Sequence, residues 1–82
     1  MSNNDLVPKI RAVLKRDGRL GDAANQVATN DDLYAAGMTS LANANVMVAL
    51  EDEFGVEFPD HLLSRETFQS IDSIHKALSS LL

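Results

Sequence analysis

Between Ser40 and Phe54 lie fifteen residues without glycine or proline, preceded by Thr39 and followed by Gly55. Ser and Thr satisfy the free N–H groups that open a helix, and glycine adopts the left-handed conformation that closes one. The stretch is therefore predicted to be helical. With about 100° between successive residues, two apolar stripes emerge. Val46, Met47, Leu50 and Phe54 form one wide enough to face a core. Leu41, Ala44 and Val48 form a second, on the side of Ser40, flanked by Glu51 and Asp52. A helix in a small bundle buries one face. The second stripe is then either roofed by a loop or presented to a partner, and an apolar ridge rimmed by carboxylates has the composition of a transient protein interface.

The rest of the chain reads as helices packed on helices. Leu6, Val7, Ile10, Val13 and Leu14 predict a first helix, capped at Asn4 or Asp5, with Pro8 in its first turn and an end at Asp17-Gly18. Gly18 to Thr39 shows no sustained period and reads as a long connection, with room for one helical turn at Asp31 to Ala36. Pro59 opens a short helix through Leu62 and Leu63, and Ile71, Ile74, Leu78 and Leu81 predict a last helix beginning after Ser70. The expected fold is all-α: a small four-helix bundle with three longer helices, one short one, and a long loop between the first two long helices. Eighty-two residues suit a single domain spanning 1–82.

Composition narrows the function. Seven Lys and Arg against twelve Asp and Glu leave a net charge of −5, which disfavours binding to nucleic acid or to anionic membrane. The charge is uneven. Residues 1–20 hold Lys9, Arg11, Lys15, Arg16 and Arg19 against Asp5 and Asp17, whereas residues 31–60 hold seven acids and no Lys or Arg. That acidic span reads either as a solvated face or as a surface that steers basic partners. The basic cluster Arg11, Lys15 and Arg16 reads as solvated. Without cysteine there is neither a disulfide framework nor a thiol nucleophile. No secretory signal or long apolar run is visible, so a cytoplasmic, monomeric protein is expected.

Ser40 stands at one end of the second stripe. At a helix N-terminus the unpaired N–H groups and the dipole favour an anion by about 0.3–1 kcal/mol, although a serine there more often only caps the helix. Its setting resembles a known motif. Asp32-Leu33-Tyr34-Ala35-Ala36-Gly37-Met38-Thr39-Ser40-Leu41 is similar to the attachment motif of the acyl carrier protein and peptidyl carrier protein family, with Gly three residues before Ser and Leu directly after it. Val46 to Asp60, including Glu51-Asp52-Glu53-Phe54 and Phe58-Pro59-Asp60, resembles the helix and loop that follow.

The resemblance implies that Ser40 receives a 4'-phosphopantetheine arm from coenzyme A, transferred by a phosphopantetheinyl transferase, and that the chain is a carrier without catalytic residues. The arm's thiol would supply the sulfur the sequence lacks, holding an aminoacyl or acyl group as a thioester. Thr39, Leu41, Ala44, Asn45, Val48, Glu51 and Asp52 would make up the docking surface. The family usually has Asp before the serine and acids two and five residues after it. Here those positions are Thr39, Ala42 and Asn45, so the helix start is neutral. The chain is also slightly longer than the common form between Pro59 and Phe68, which implies an extended short helix. Both departures resemble stand-alone aminoacyl carrier proteins, loaded by ligases resembling class II aminoacyl-tRNA synthetases and unloaded by downstream acyl-transfer enzymes. The alternative is an unmodified helical adaptor that uses the same ridge.

Other constellations carry less. His61 and His75 lack the spacing of a metal site, and the adjacent pair Asp60-His61 cannot readily build a triad with Ser40. Gly18-Arg19-Leu20-Gly21 is too short for a nucleotide-binding loop.

Overall fold

The computed structural model describes residues 3–82, with side chains from Leu6 onward. The first helix, α1, spans Asn3–Arg16 and buries Leu6, Ile10, Val13 and Leu14. Asn4 and Asp5 lie inside its first turn, and the capping expected of their side chains falls outside the described residues. Pro8 falls in the second turn, where its missing N–H removes one helical bond. The end of α1 is fixed by a close approach. Asp17 and Gly18 both donate to the Val13 carbonyl, at 2.7 and 3.3 Å. A Cβ on Gly18 would stand 2.8 Å from the Leu14 carbonyl oxygen and 3.2 Å from Val46 Cγ2, so only glycine fits between the two helices.

The connection from Asp17 to Thr39 is better organised than its sequence indicates. It contains a single-turn helix, α2, at Ala23–Gln26, where no element was expected. Its anchor is Arg11, whose Nη1 donates to the carbonyls of Ala24 at 2.9 Å and Val27 at 2.8 Å. The solvated reading of the basic cluster is therefore corrected for Arg11, which is half-buried and ties the connection to α1. Over Asp31 to Ala36 the chain forms turns rather than a helix, with the Asp32 carboxylate accepting from the N–H groups of Tyr34 and Ala35. Leu20, Ala24, Leu33 and Met38 bury their side chains in the core. Backbone bonds from Leu33 N–H to the Gln69 carbonyl, 2.7 Å, and from Asp72 N–H to the Thr29 carbonyl, 2.9 Å, fasten the connection to the entrance of the last helix.

The central long helix, α3, spans Ser40–Phe54 and ends as predicted on Gly55, which adopts φ 63° and donates to the Glu51 carbonyl. Phe58 then packs edge-on against Phe68, ring centroids 5.4 Å apart. That contact brings the two ends of the 58–68 segment together. The segment accordingly holds a three-residue 3₁₀ turn at Asp60–Leu62 followed by turns from Arg65 to Phe68, and the expected extended short helix is absent there. The last helix, α4, spans Ile71–Leu81 and opens on a reciprocal capping box between Ser70 and Ser73. Ile71, Ile74, Ala77 and Leu78 face the core.

Helix α1 packs against each of the other three helices, so the core is one continuous cluster around Ile10, Leu14, Val46, Leu50, Ile74 and Leu78. Among the described residues the architecture is all-α: three longer helices and one short one, with no strand. The short α-helix precedes α3, and the short helix expected to open at Pro59 is the 3₁₀ turn Asp60–Leu62. No described helix is long and apolar enough to cross a membrane.

Candidate functional site

The start of α3 divides two tasks between neighbouring residues. Thr39, in extended conformation at φ −79° and ψ 167°, is the cap, and its Oγ1 accepts from the Ala42 N–H at 3.1 Å. Ser40 is the first helical residue and is exposed. The capping role considered for Ser40 thus belongs to Thr39, and the serine hydroxyl is left facing solvent. The first turn of α3 carries no acid.

The second apolar stripe is uncovered. Leu41 is 72% exposed and Val48 51%, and Ala44 is exposed between them. The long connection closes over the core instead of roofing this ridge. On the opposite face Ala42, Val46, Leu50 and Phe54 are buried, while Met47, expected in the core, is half-buried at its edge. Asn45 and Asp52 are exposed along one flank of the ridge. With Val48, Ala49, Glu53, Arg16 and Asp17 they line a groove of about 450 Å³ between α3 and the end of α1. Glu51 has a structural engagement: its carboxylate accepts from the Phe58 N–H at 2.9 Å and holds the chain that leaves α3.

On the other flank of Ser40 lies a cleft of about 270 Å³, lined by Ser40, Asn43 and Met47 from α3, by Tyr34, and by Leu63, Arg65 and Phe68 from the segment before α4. Two of these residues form a clamp that the sequence did not reveal. The Arg65 guanidinium lies 3.8 Å from the centre of the Tyr34 ring, a cation–π stack, and the Tyr34 hydroxyl donates to the Arg65 carbonyl at 3.3 Å. Partial burial raises the Tyr34 pKa above 10.0; Arg65 lowers it and Asp32 adds to the rise. Asn43 contributes an amide oxygen that is buried without a hydrogen-bond partner. The only available signal was its position three residues after Ser40. His61 lines a separate groove with Thr67 and Lys76. It does not meet the serine there.

An exposed hydroxyl beside a mixed polar and apolar cleft, on a helix with an uncovered ridge, defines a module built to hold a covalently attached group and show it to other proteins. The phosphopantetheine attachment site family matches residues 8–78, and the chain belongs to that family. It is a carrier and not an enzyme, and its prosthetic group is covalent 4'-phosphopantetheine. The residues present fit that group: an exposed hydroxyl to bear it, a cation for its phosphate, an orphaned amide oxygen for its N–H groups, and Met47, Leu63 and Phe68 for its carbon skeleton.

Among its relatives is the aminoacyl carrier protein of Agrobacterium fabrum (strain C58), 40% identical over 73 residues, covering 89% of this chain and 88% of that protein. The structure also superposes on the carrier protein from Agrobacterium tumefaciens in complex with an engineered Bradyrhizobium japonicum glycine:[carrier protein] ligase and ATP. The TM-score is 0.88 and the identity 37%, with 93% of this chain and 99% of that chain covered. A third match is to the ligase's native complex with its cognate carrier protein and an analogue of glycyl adenylate, at TM-score 0.77 and 26% identity, covering 93% of this chain and 97% of that chain.

Proposed function

We propose that Ser40 bears the phosphopantetheine arm and that the chain, acting as one cytoplasmic carrier domain over residues 1–82, accepts an aminoacyl group from a ligase akin to the glycine:[carrier protein] ligases. The observation that carries this reading is the division of labour at the helix start. Thr39 takes the capping bond, and Ser40 keeps an exposed hydroxyl at the positive end of α3. In the attachment step a phosphopantetheinyl transferase directs Ser40 Oγ at the phosphorus next to the pantetheine. The Oγ–P bond forms, the bond to 3',5'-adenosine bisphosphate breaks, and the serine proton passes to the transferase. Once attached, the arm supplies a thiol on which cargo travels as a thioester.

The remaining residues position and present. The ridge of Leu41, Ala44 and Val48, with Asn45 and Asp52 beside it, is the docking surface for the transferase, the ligase and the downstream acyl-transfer enzymes. Thr39 sets the helix start, and Glu51 holds the loop behind the ridge. Because the arm tethers its cargo, a weak contact with each partner is enough to give a high local concentration.

Intact-mass measurement after incubation with coenzyme A and a broad-specificity transferase tests the site. One phosphopantetheine per wild-type chain and none on Ser40→Ala is expected. An equal gain on both proteins overturns Ser40 as the attachment residue, and no gain on the folded wild type overturns the carrier reading and leaves the ridge as the surface of an unmodified adaptor.

A further inference from the structure

The cleft beside Ser40 is lined by one cation, Arg65, and no carboxylate, although residues 31–60 contain seven acids and no Lys or Arg. That cation forms no ion pair among the described residues, where the pairs are Lys15 with Asp22 and Arg16 with Asp17. Its guanidinium rests on the face of Tyr34 at 3.8 Å. The stack is fastened from its other side by the bond from the Tyr34 hydroxyl to the Arg65 backbone carbonyl, and Tyr34 is itself fixed by the bond from its N–H to Asp32 at 2.9 Å. An arginine held against a ring keeps its N–H donors available at the guanidinium edge, in the geometry that suits a phosphate. Asn43 lines the same wall, and its amide oxygen is buried without a partner.

Resting on the assignment of Ser40 as the attachment residue, we propose that Arg65, stacked on Tyr34, is a positioning residue that pairs with the phosphodiester of the arm and turns the arm toward the cleft, away from the docking ridge. The phosphate carries the one negative charge that this wall lacks. Met47, Leu63 and Phe68 supply apolar contact for the arm's carbon skeleton. The pair is exposed, so it is a weak latch that a partner enzyme releases on binding.

The test compares apo and holo protein by NMR, with loading verified by intact mass. The Arg65 Nε–H resonance is expected to move when the arm is attached in wild type. It should not move in Ser40→Ala mixed with free coenzyme A. The arm's amide N–H groups should relax as partly ordered in wild type and as freely mobile in Arg65→Gln. Tyr34→Leu, which removes the stack while leaving Arg65 in place, should give the same loss of order. Raising ionic strength to about 1 M, where the screening length is about 3 Å, should reduce the Arg65 displacement by about half or more. A fully loaded wild type whose Arg65 Nε–H stays at its apo position, or whose arm is equally mobile with and without Arg65, overturns the latch and leaves the carrier assignment standing. A wild type that takes up no arm overturns both.

Discussion

Leu41 and Leu50 sit nine residues apart on one helix and are assigned opposite duties, so substituting them separates docking from stability. Leu41 is 72% exposed. Full burial of a leucine is worth about 1.5–3 kcal/mol, so the quarter or so of its side chain removed from water contributes about 0.4–0.8 kcal/mol. In Leu41→Asp that loss and a lower helix propensity, a few tenths of a kcal/mol, oppose a gain of about 0.3–1 kcal/mol from a negative charge in the first turn. The net change runs from a gain of about 0.4 to a loss of about 0.9 kcal/mol, and the melting temperature should move by no more than about 7 °C. Leu50 is fully buried. Leu50→Ala leaves a cavity and is expected to cost about 2–5 kcal/mol, lowering the melting temperature by about 8 °C or more. Binding to a glycine:[carrier protein] ligase of the class proposed as this chain's partner, measured on holo proteins of verified mass, should reverse the order. Leu41→Asp should weaken it at least tenfold, equivalent to about 1.4 kcal/mol, whereas Leu50→Ala should bind nearly normally below its melting temperature. If Leu41→Asp costs as much stability as Leu50→Ala, or binds the ligase like wild type, the ridge is not a docking surface.

Three further outcomes follow from individual contacts. Thr39→Ala removes the acceptor for the Ala42 N–H and should cost about 1 kcal/mol in denaturant titrations. Arg11→Met keeps the aliphatic stem but removes both bonds to α2; a loss of about 2 kcal/mol is expected, with amide exchange accelerating first over residues 23–29. Tyr34 is the sole tyrosine and there is no tryptophan, so its ionisation is readable by ultraviolet absorbance. Burial holds its pKa above 10.0 in the fold, so the unfolded chain ionises first. The stability associated with neutral Tyr34 is therefore complete below about pH 10 and declines as pH rises through the folded midpoint, a dependence that Tyr34→Phe should abolish.

What the sequence disclosed and what it withheld separate by the range of the interaction. Apolar periodicity located α1, α3 and α4 because each helix faces one core, and Gly55 and Ser70 marked boundaries through chemistry local to the turn. The second stripe was legible for the same reason, since its residues lie on one helix, but its exposure was not, because that depends on the path of the connection. Helix α2 was not legible. Ala-Ala-Asn-Gln has no apolar period, and its anchor, Arg11, lies 13 and 16 residues before the carbonyls it holds. The buried Leu20, Leu33 and Met38 follow no helical spacing because each enters the core from the irregular connection. The extended helix expected after Pro59 is precluded by the contact of Phe58 with Phe68, which bends the chain back on itself. The half of the site nearest the serine was readable from its motif. The half contributed by Arg65 depends on a bond with Tyr34 across 31 residues, which one-dimensional spacing does not encode.

The choice of Thr39 has an electrostatic consequence that separates the bare protein from the loaded one. An aspartate at this position would cap α3 equally well and would also meet the helix dipole, so Thr39→Asp should stabilise the apo form by about 0.3–1 kcal/mol. Once Ser40 carries a phosphodiester, the same carboxylate stands one residue from a second negative charge. In a water-exposed setting two such charges repel by about 1 kcal/mol at contact distances, enough to cancel the dipole gain. Threonine avoids that repulsion while keeping the capping bond, and it leaves the positive end of α3 and Arg65 to act on the phosphate together. Thermal unfolding of four proteins, apo and holo in the wild-type and Thr39→Asp backgrounds, measures the coupling directly. The aspartate should raise the apo midpoint by about 2–6 °C and the holo midpoint by much less, and high salt should bring the two increments together. Equal increments at low salt would mean that residue 39 does not sense the phosphate, and the neutral helix start would then require an explanation in partner recognition alone.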